Sequence, residues 1–257
     1  MPFVRVLLRR TARFVGFSSQ FRRIRTVSDP VSRPLALVTG ASRGIGAAVA
    51  RALAPCHDLL LGGRDPAALE RLTAELPEAR SWPVELTDAD ALAAATAGIA
   101  RLDVLVHSAG VGLLGTVADT PVEVWRHQFE VNVVAVAELT RLLLPALRAA
   151  RGRVILINSG AGLTAGPGWG SYAASKFALR AFADALRAEE ARHGVRVTSV
   201  HPGRVDTDMQ RAVVEHEGGE YRPEAYLRAS SVAAAVLHAA TAPADVAISE
   251  LVLRRAG

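Results

Sequence analysis

A tyrosine and a lysine four residues apart are the residues of this sequence whose types and spacing best suit chemistry. Tyr172 and Lys176 belong to the stretch Ser171–Lys176, and Lys176 is the only lysine among 30 basic residues. On a helix, positions i and i+4 share one face, so the phenol and the ammonium can reach the same space. A nearby cation favours phenolate and lowers the pKa of a tyrosine from about 10. The pair predicts a phenol that works as general acid and base, and a chance Tyr-x-x-x-Lys match is the alternative.

The elements that must position this pair begin with a glycine-rich turn. Leu35–Val38 is a short apolar run typical of a buried parallel strand, and Thr39–Gly46 follows it directly, before an alanine-rich helical stretch. In such a strand–turn–helix unit, Gly40 permits the tight turn, Gly44 lets the backbone approach a pyrophosphate, and Gly46 allows close packing of the helix. The stretch therefore predicts a dinucleotide-binding loop.

The end of the second predicted strand indicates which dinucleotide. Asp58–Arg64 ends in Gly63 and Arg64, where an acid would bind the ribose 2′-hydroxyl and an arginine accommodates a 2′-phosphate. Arg43 in the glycine loop can form the second half of a phosphate clamp. We therefore expect NADP(H) as the cofactor. The alternative for Arg64 is a solvated residue at the start of a helix that Asp65–Pro66 caps.

Strand and helix patterns alternate along the rest of the chain. Further strands are expected at 80–86, 103–106, 153–157, 195–200 and 244–255, and helices at 66–76, 88–100, 121–150 and 172–193. This alternation predicts an α/β fold, a single Rossmann-type doubly wound parallel sheet with helices on both faces. Ligands of such sheets bind beyond the carboxyl ends of the strands, which is where the motifs of this chain fall.

Composition and charge divide the chain at about residue 34. Half the residues are hydrophobic and 21% are charged, which is typical of a globular chain. The single cysteine, Cys56, has no partner for a disulfide or a metal site, so we expect a reducing, cytoplasmic setting. Residues 1–33 carry a net charge of +7 and residues 34–257 a net charge of −2. The folded part therefore has no electrostatic footprint for nucleic acid.

Residues 1–33 form a basic extension whose apolar residues recur three, four or seven positions apart. This amphipathic pattern is compatible with contact to an anionic membrane surface or with a targeting segment, but no run approaches the ~20 apolar residues of a membrane span. A disordered tail or a start assigned too far upstream is the favoured interpretation, because Ser28–Pro34 reads as a linker. The expected domain is thus 34–257, with cofactor and substrate sites in one unit.

Together these motifs resemble the short-chain dehydrogenase/reductase family. The matching pieces, in the family's order, are T-G-A-S-R-G-I-G at 39–46, S-A-G at 108–110, Asn132, Ser159, Y-A-A-S-K at 172–176 and P-G at 202–203. The resemblance implies a single-domain Rossmann fold, a nicotinamide cofactor and a homotetramer or homodimer. The sequence departs from the family pattern at His107–Ser108, where Asn-Asn is usual, and at Glu85, where Asp is frequent.

The resemblance also implies roles by position. Tyr172 would exchange a proton with the substrate oxygen, Lys176 would lower the tyrosine pKa and bind the nicotinamide ribose, Ser159 would hold the substrate oxygen, and Asn132 would anchor a water that relays protons. The implied cofactor-binding set is Gly40, Ser42, Arg43, Gly44, Ile45, Gly46, Arg64, Glu85, Leu86, Ser108, Ala109, Gly110, Tyr172, Lys176, Pro202, Gly203, Val205 and Thr207.

The substrate is expected among the loops 111–120, 160–171 and 204–228. They offer a largely apolar lining from Leu113, Leu114, Leu163, Trp169, Met209, Tyr221 and Tyr226. The polar stretch 215–220 predicts a solvated, flexible lid. His107 is expected at the edge of the core rather than as a base, and Asp206 and Asp208 as loop caps rather than substrate contacts.

The sequence therefore predicts an NADP(H)-dependent oxidoreductase that interconverts a carbonyl and a secondary alcohol on a small, largely apolar substrate. The ending 244–255 resembles NADP-dependent 3-hydroxy acid dehydrogenases of the family, so such an enzyme, or a 3-oxoacyl reductase, is an alternative. Two further alternatives are an enzyme tethered to a membrane surface by residues 1–33 and a non-catalytic nucleotide sensor. The presence of all four implied catalytic residues argues against the sensor.

Overall fold

The computed structural model of the chain describes residues 33–256. These residues form one parallel sheet between two layers of helices. The strands are β1 (Leu35–Val38), β2 (Asp58–Gly63), β3 (Ala79–Pro83), β4 (Val104–His107), β5 (Arg153–Ile157), β6 (Arg196–Pro202) and β7 (Glu250–Leu253). The helices are α1 (Gly44–Leu53), α2 (Pro66–Glu75), α3 (Ala89–Thr96), α4 (Val122–Phe129), α5 (Ala135–Ala150), α6 (Gly170–Glu190), α7 (Asp208–His216) and α8 (Ala229–Thr241). The predicted α/β fold is confirmed.

The strand order of the sheet is β3-β2-β1-β4-β5-β6-β7, and every neighbouring pair is parallel. The chain builds β2 and β3 on one side of β1 and then returns to place β4 on its other side. Such a reversal opens a crevice at the carboxyl ends of β1 and β4, where ligands of doubly wound sheets bind. Thr39 ties these two ends together, because its Oγ1 accepts hydrogen bonds from Ser108 N (3.1 Å) and Ala109 N (3.2 Å).

Two apolar cores flank the sheet because adjacent strand residues point to opposite faces. In β1, Ala36 and Val38 face a core shared with α1, α2 and α8, whereas Leu37 faces a core shared with α3, α5 and α6. All three residues are fully buried. The strands read as continuous apolar runs because both of their faces are covered.

The structure corrects the predicted elements at three places. The seventh strand, expected within 244–255, covers only Glu250–Leu253. The stretch 204–228, expected as a loop, contains α7, which runs through part of the predicted lid. The single helix expected over 121–150 is two helices joined by a π-helical turn at Glu130–Val134. The helix cap predicted at Asp65 is confirmed, since its carboxylate accepts from Ala68 N. Asp88 caps α3 in the same way, by accepting from Ala91 N.

The extension predicted for residues 1–33 lies, apart from Arg33, outside the described residues. Within 33–256, no helix has both the length and the apolar character that a membrane span needs. The domain boundary, the homo-oligomer and the cytoplasmic setting stay predictions.

Candidate active site

Tyr172 and Lys176 lie on one buried face of α6, one turn apart. Their side chains are 8% and 5% exposed, and the Lys176 Nζ lies 5.9 Å from the centre of the Tyr172 ring. Trp169, which precedes the helix, packs edge-on against Tyr172 with 5.8 Å between ring centres. The helix therefore brings the phenol and the ammonium into the same space, as their spacing predicts.

Lys176 is fixed by the end of β5. Its Nζ donates a hydrogen bond to the carbonyl oxygen of Ile157 (3.1 Å), and Asn158 Nδ2 donates to the Lys176 carbonyl (3.2 Å). Asn158 Oδ1 also accepts from Ser159 N (2.9 Å), so one carboxamide holds both the strand end and the helix. Burial lowers the pKa of Lys176 from 10.5 to about 8.

The pKa of Tyr172 departs from the predicted direction. Burial raises it above 10, and a hydrogen bond with Ser159 acts in the opposite direction with a smaller effect. The spacing of Tyr172 and Lys176 predicts the opposite, a tyrosine pKa lowered by the neighbouring ammonium. In the structure, loss of solvation of the phenolate outweighs its favourable neighbours, because the apolar cavity wall around the ring disfavours the charged form.

Ser159 follows β5 and lines the same cavity as Tyr172. Its Oγ accepts a hydrogen bond from Ala161 N (3.1 Å), which caps a short 3₁₀ turn at Gly160–Gly162. The hydroxyl is thereby held at the strand tip, facing the phenol.

Asn132 lies in the π-helical turn between α4 and α5 and is 1% exposed. Its Oδ1 accepts from Val111 N and its Nδ2 donates to Val111 O, both at 2.9 Å. Nδ2 also donates to Ser175 Oγ (3.0 Å), which in turn donates to the Tyr172 carbonyl (2.7 Å). A Cβ on Gly110 would lie 3.1 Å from Asn132 Oδ1 and 3.8 Å from Lys176 Nζ, so the amide and the ammonium flank the same glycine.

Two adjoining cavities occupy the carboxyl edge of the sheet. The larger, of about 430 Å³, is lined by Ser159, Tyr172 and Lys176, and the smaller, of about 220 Å³, by the glycine loop. The two cavities share part of their linings and together form one trough. The shared residues are Ile45, Ser108, Gly110, Val111, Thr207 and Met209.

The predicted cofactor-binding residues all line this trough. Those in the smaller cavity are Gly40, Ser42, Arg43, Gly44, Ile45, Gly46, Arg64, Glu85, Leu86, Ser108, Ala109, Gly110 and Thr207. Those that line only the larger cavity are Tyr172, Lys176, Pro202, Gly203 and Val205. Asn132 lines neither cavity and lies behind Gly110 and Val111.

The glycine loop packs closely against neighbouring backbone because its glycines carry no Cβ. Gly40 has a positive φ of 65°, and a Cβ there would lie 2.8 Å from the Ala109 backbone. A Cβ on Gly46 would lie 2.1 Å from the Gly40 carbonyl oxygen. The N-terminus of α1, which begins at Gly44, thus faces an open cavity at the switch point of the sheet, an arrangement that suits a pyrophosphate.

Two arginines flank the far end of the smaller cavity. Arg64 lies 3.7 Å from Glu85 and Arg43 3.5 Å from Asp208, and both arginine side chains are at least two-thirds exposed. Surface pairs of this kind are weak. Both guanidiniums are therefore free to turn to an anionic ligand.

The substrate lining is only partly the predicted one. Leu114, Trp169 and Met209 line the larger cavity, but Leu113, Leu163, Tyr221 and Tyr226 do not. The two tyrosines pack on each other with 5.1 Å between ring centres, and the Tyr221 hydroxyl donates to Asp206. Tyr221 and Tyr226 therefore stabilise the segment that follows α7 and do not face the substrate space.

His107, Asp206 and Asp208, the other polar residues considered in the sequence, do not line the larger cavity. His107 is buried, its Nε2 lies 2.9 Å from Thr140 Oγ1, and burial lowers its pKa to about 3, so it stays neutral. Asp206 binds Tyr221, and Thr207, rather than either aspartate, caps α7.

Three further residues at the site, Asn158, Ser175 and Gln210, are not predicted from the sequence. Asn158 and Ser175 stand next to predicted catalytic residues but act through hydrogen bonds that the sequence does not reveal. Gln210 lines the larger cavity on a helix that was expected to be a loop.

A parallel sheet has a glycine loop at its switch point, and Ser159, Tyr172 and Lys176 line the cavity beside that loop. The family model described as short chain dehydrogenase matches residues 34–218. The chain belongs to the short-chain dehydrogenase/reductase family, as the sequence motifs predict.

Relatives of the chain are oxidoreductases by name. It is 36% identical over 239 residues to a glycine betaine reductase of Emericella nidulans, covering 87% of this chain and 19% of that protein. It is 35% identical to dehydrogenase/reductase SDR family member 7B of Bos taurus, covering 74% of this chain and 64% of that protein. An uncharacterized oxidoreductase of Staphylococcus epidermidis is 32% identical, with 87% of this chain and 98% of that protein covered. The chain thus spans less than two thirds of the first two relatives.

Solved structures share the fold. An alcohol dehydrogenase from Thermococcus sibiricus complexed with 5-hydroxy-NADP superposes with a TM-score of 0.79 at 28% identity, covering 87% of this chain and 99% of that one. An actinorhodin polyketide ketoreductase variant with NADPH has a TM-score of 0.79 at 29% identity, covering 86% of this chain and 95% of that one.

Proposed function

We propose that this protein is an NADP(H)-dependent oxidoreductase that interconverts a carbonyl and a secondary alcohol on a small, largely apolar substrate. The observation that carries the proposal is the shared trough, in which Tyr172, Lys176 and Ser159 line one cavity and the glycine loop lines the next. A substrate carbonyl beside Tyr172 would then border the space for the reactive end of a dinucleotide.

The residues divide the work of carbonyl reduction. The nicotinamide supplies the hydride when bound. Tyr172 donates a proton to the substrate oxygen, and Ser159 donates a hydrogen bond to that oxygen as its negative charge grows. The raised pKa of Tyr172 keeps the phenol protonated at neutral pH, which supports a proton donor in the reductive direction.

Lys176 would return a proton to the phenol, and Asn132 would position the water that carries protons to Lys176. A pKa of about 8 lets the Lys176 ammonium give up and regain a proton near working pH. Three hydrogen bonds to Val111 and Ser175 fix the Asn132 amide. The fixed amide would hold a water beside Gly110.

NADP(H) rather than NAD(H) is the proposed cofactor. Gly63 leaves no carboxylate at the end of β2, and Arg64 and Arg43 both line the cavity of the glycine loop. Arginine forks suit a 2′-phosphate. The NADP compounds in the two solved structures above support this choice for a chain of the same fold.

The test is oxidation of NADPH, followed by its absorbance, across a panel of ketones and aldehydes. We expect Tyr172→Phe to lower kcat/KM by about 10²–10⁴-fold, because it removes the proton donor while keeping the ring. Tyr226→Phe is the matched control, since its phenol does not line the cavity, and we expect it to keep wild-type turnover. Undiminished turnover in Tyr172→Phe would mean that another group donates the proton.

A further inference from the structure

His201, near the end of β6, is a fully buried side chain that the proposed mechanism does not use. Its Nδ1 lies 3.1 Å from the carbonyl oxygen of Ser159. A carbonyl oxygen only accepts hydrogen bonds, so this contact requires a proton on Nδ1. Burial lowers the pKa of His201 below its usual 6.5, so the ring is neutral near pH 7. A neutral imidazole on β6 therefore donates to the backbone of the serine at the tip of β5.

The second ring nitrogen of His201 gains little from its position. A neutral ring with its proton on Nδ1 presents a lone pair at Nε2, and this atom is buried without a hydrogen-bond partner among the described residues. Glu250 Oε1 lies 3.9 Å from Nε2 and accepts from Arg180 Nε at 3.1 Å. The opposite tautomer would turn the Nδ1 lone pair against the Ser159 carbonyl and gain only this long contact to an ion-paired carboxylate. The surroundings thus favour the proton on Nδ1.

Stability alone does not explain a histidine at this position. The Ser159 carbonyl already accepts a hydrogen bond from Gly162 N (3.0 Å), so it would remain satisfied without the imidazole. A buried ring nitrogen without a partner costs free energy, which an apolar side chain in place of His201 would avoid. Departures from such rules are expected at functional sites.

The bond from His201 adds a second side chain to the support of Ser159. Asn158 Oδ1 accepts from Ser159 N at 2.9 Å, so one side chain holds the N–H of the serine and another holds its carbonyl. Ser159 lines the larger cavity together with Tyr172, whereas His201 lines neither cavity. A shift of the Ser159 backbone would displace its hydroxyl, and a misplacement of about 1 Å at an active site can lower a rate about 10²-fold.

We infer that His201 is a positioning residue, whose Nδ1–H fixes the carbonyl of Ser159 and thereby the hydroxyl that holds the substrate oxygen. The inference rests on the proposed carbonyl reduction, in which Ser159 hydrogen-bonds that oxygen. It adds a residue that acts on the reaction through the serine and touches neither substrate nor cofactor.

The experiment compares His201→Asn with His201→Gln in the reduction of the ketone that wild type turns over fastest. The asparagine amide places an N–H near the position of Nδ1, whereas the glutamine amide places it near that of Nε2. We expect His201→Gln to lower kcat about tenfold or more and His201→Asn to stay within about threefold of wild type. KM and the Kd for NADPH should change little, because no residue of the cavity lining is altered. A similar loss in both variants, or no loss in His201→Gln, overturns the inference.

A double-mutant cycle with Ser159→Ala separates positioning from general damage to the fold. If His201 acts through the serine hydroxyl, the loss that His201→Gln causes should nearly disappear in the Ser159→Ala background. A loss of undiminished size in that background overturns the inference, because damage to the fold does not need the hydroxyl.

Nuclear magnetic resonance of isotope-labelled histidine reads the tautomer without turnover, and His201→Asn assigns the signal. We expect a neutral His201 ring with its proton on Nδ1 near pH 7. A proton on Nε2 alone overturns the inference, since Nδ1 could then not donate to Ser159. These outcomes, obtained with an active wild type, leave the proposed function standing. If wild type reduces no carbonyl of the panel, the proposed function is overturned, and the inference that rests on it is overturned as well.

Discussion

Tyr172 and Lys176 are placed by one helix but controlled by different surroundings. The phenol faces an apolar cavity that raises its pKa, and the ammonium is buried against a strand-end carbonyl that does not neutralise it. The only lysine of the chain thus stands where an arginine would have to bury a wide, always-charged fork. Burial lowers the pKa of the lysine to about 8. A lysine with such a pKa suits proton exchange better than an arginine.

At the other end of the trough, cofactor choice should depend on Arg64. We expect Arg64→Ala to raise the Kd for NADPH by about tenfold and to leave that for NADH nearly unchanged, because one charge-assisted hydrogen bond to the 2′-phosphate is lost. Titration of intrinsic or cofactor fluorescence measures both constants. Arg71→Ala, which removes an exposed arginine from α2, is the control. If Arg64→Ala raised the Kd values for NADPH and NADH equally, Arg64 would not be a residue that recognises the 2′-phosphate.

The residues that the sequence could predict are those whose chemistry is local. Tyr172 and Lys176 are found by spacing, and Gly40 by its place after a strand. The pKa direction of Tyr172 was wrong because burial depends on the cavity walls, which come from distant segments. Gln210 is not predicted because it lies on α7, in a stretch that the sequence predicts to be a loop.

At the scale of elements, the close approach of α1 to the end of β1 forms the glycine loop. The predicted strands fall close to the observed ones because runs buried on both faces are continuously apolar. By contrast, α7 is short and carries polar residues, and the π-helical turn at Glu130–Val134 has no pattern of its own in the sequence. These two irregular elements hold Gln210 and Asn132, so the site was harder to predict than the fold.

The close contact of α1 gives a sharp prediction for Gly46→Ala. The added methyl would lie 2.1 Å from the Gly40 carbonyl oxygen, a backbone atom that cannot move without opening the loop. We expect loss of measurable NADPH binding and a Tm lower by several degrees, since about 1–3 kcal/mol of overpacking falls on the turn. Gly166→Ala, where a methyl meets nothing within 4 Å, is the matched control and should keep cofactor affinity. Wild-type affinity in Gly46→Ala would show that the loop adapts.

At the scale of the whole molecule, two apolar cores support a site that works against stability. The sheet is covered on both faces, and its carboxyl edge alone gathers the buried polar groups of the trough. Burial disfavours the charged forms of Lys176 and Tyr172 there. The Nε2 atom of Gln210 is buried without a hydrogen-bond partner among the described residues. Such sites are maintained by the stability of the surrounding fold.

The cost of burying Lys176 should appear as a pH-dependent difference in folding stability. Its pKa is about 8 in the folded protein and 10.5 ordinarily. Below pH 8 the lysine is charged in both folded and unfolded states, so the full desolvation penalty acts. Between these values the folded state loses its proton first, so stability rises with pH, and above 10.5 the penalty is gone.

We therefore expect Lys176→Met to be more stable than wild type near pH 7 and this advantage to shrink by about 3 kcal/mol as the pH approaches 10.5. Urea unfolding of both cofactor-free proteins across this range measures the difference. Tyr172, whose raised pKa makes stability fall above pH 10, is present in both proteins and cancels. A difference that stays constant with pH would mean that the ammonium is solvated in the folded protein, and the proton relay proposed for Lys176 would lose its physical basis.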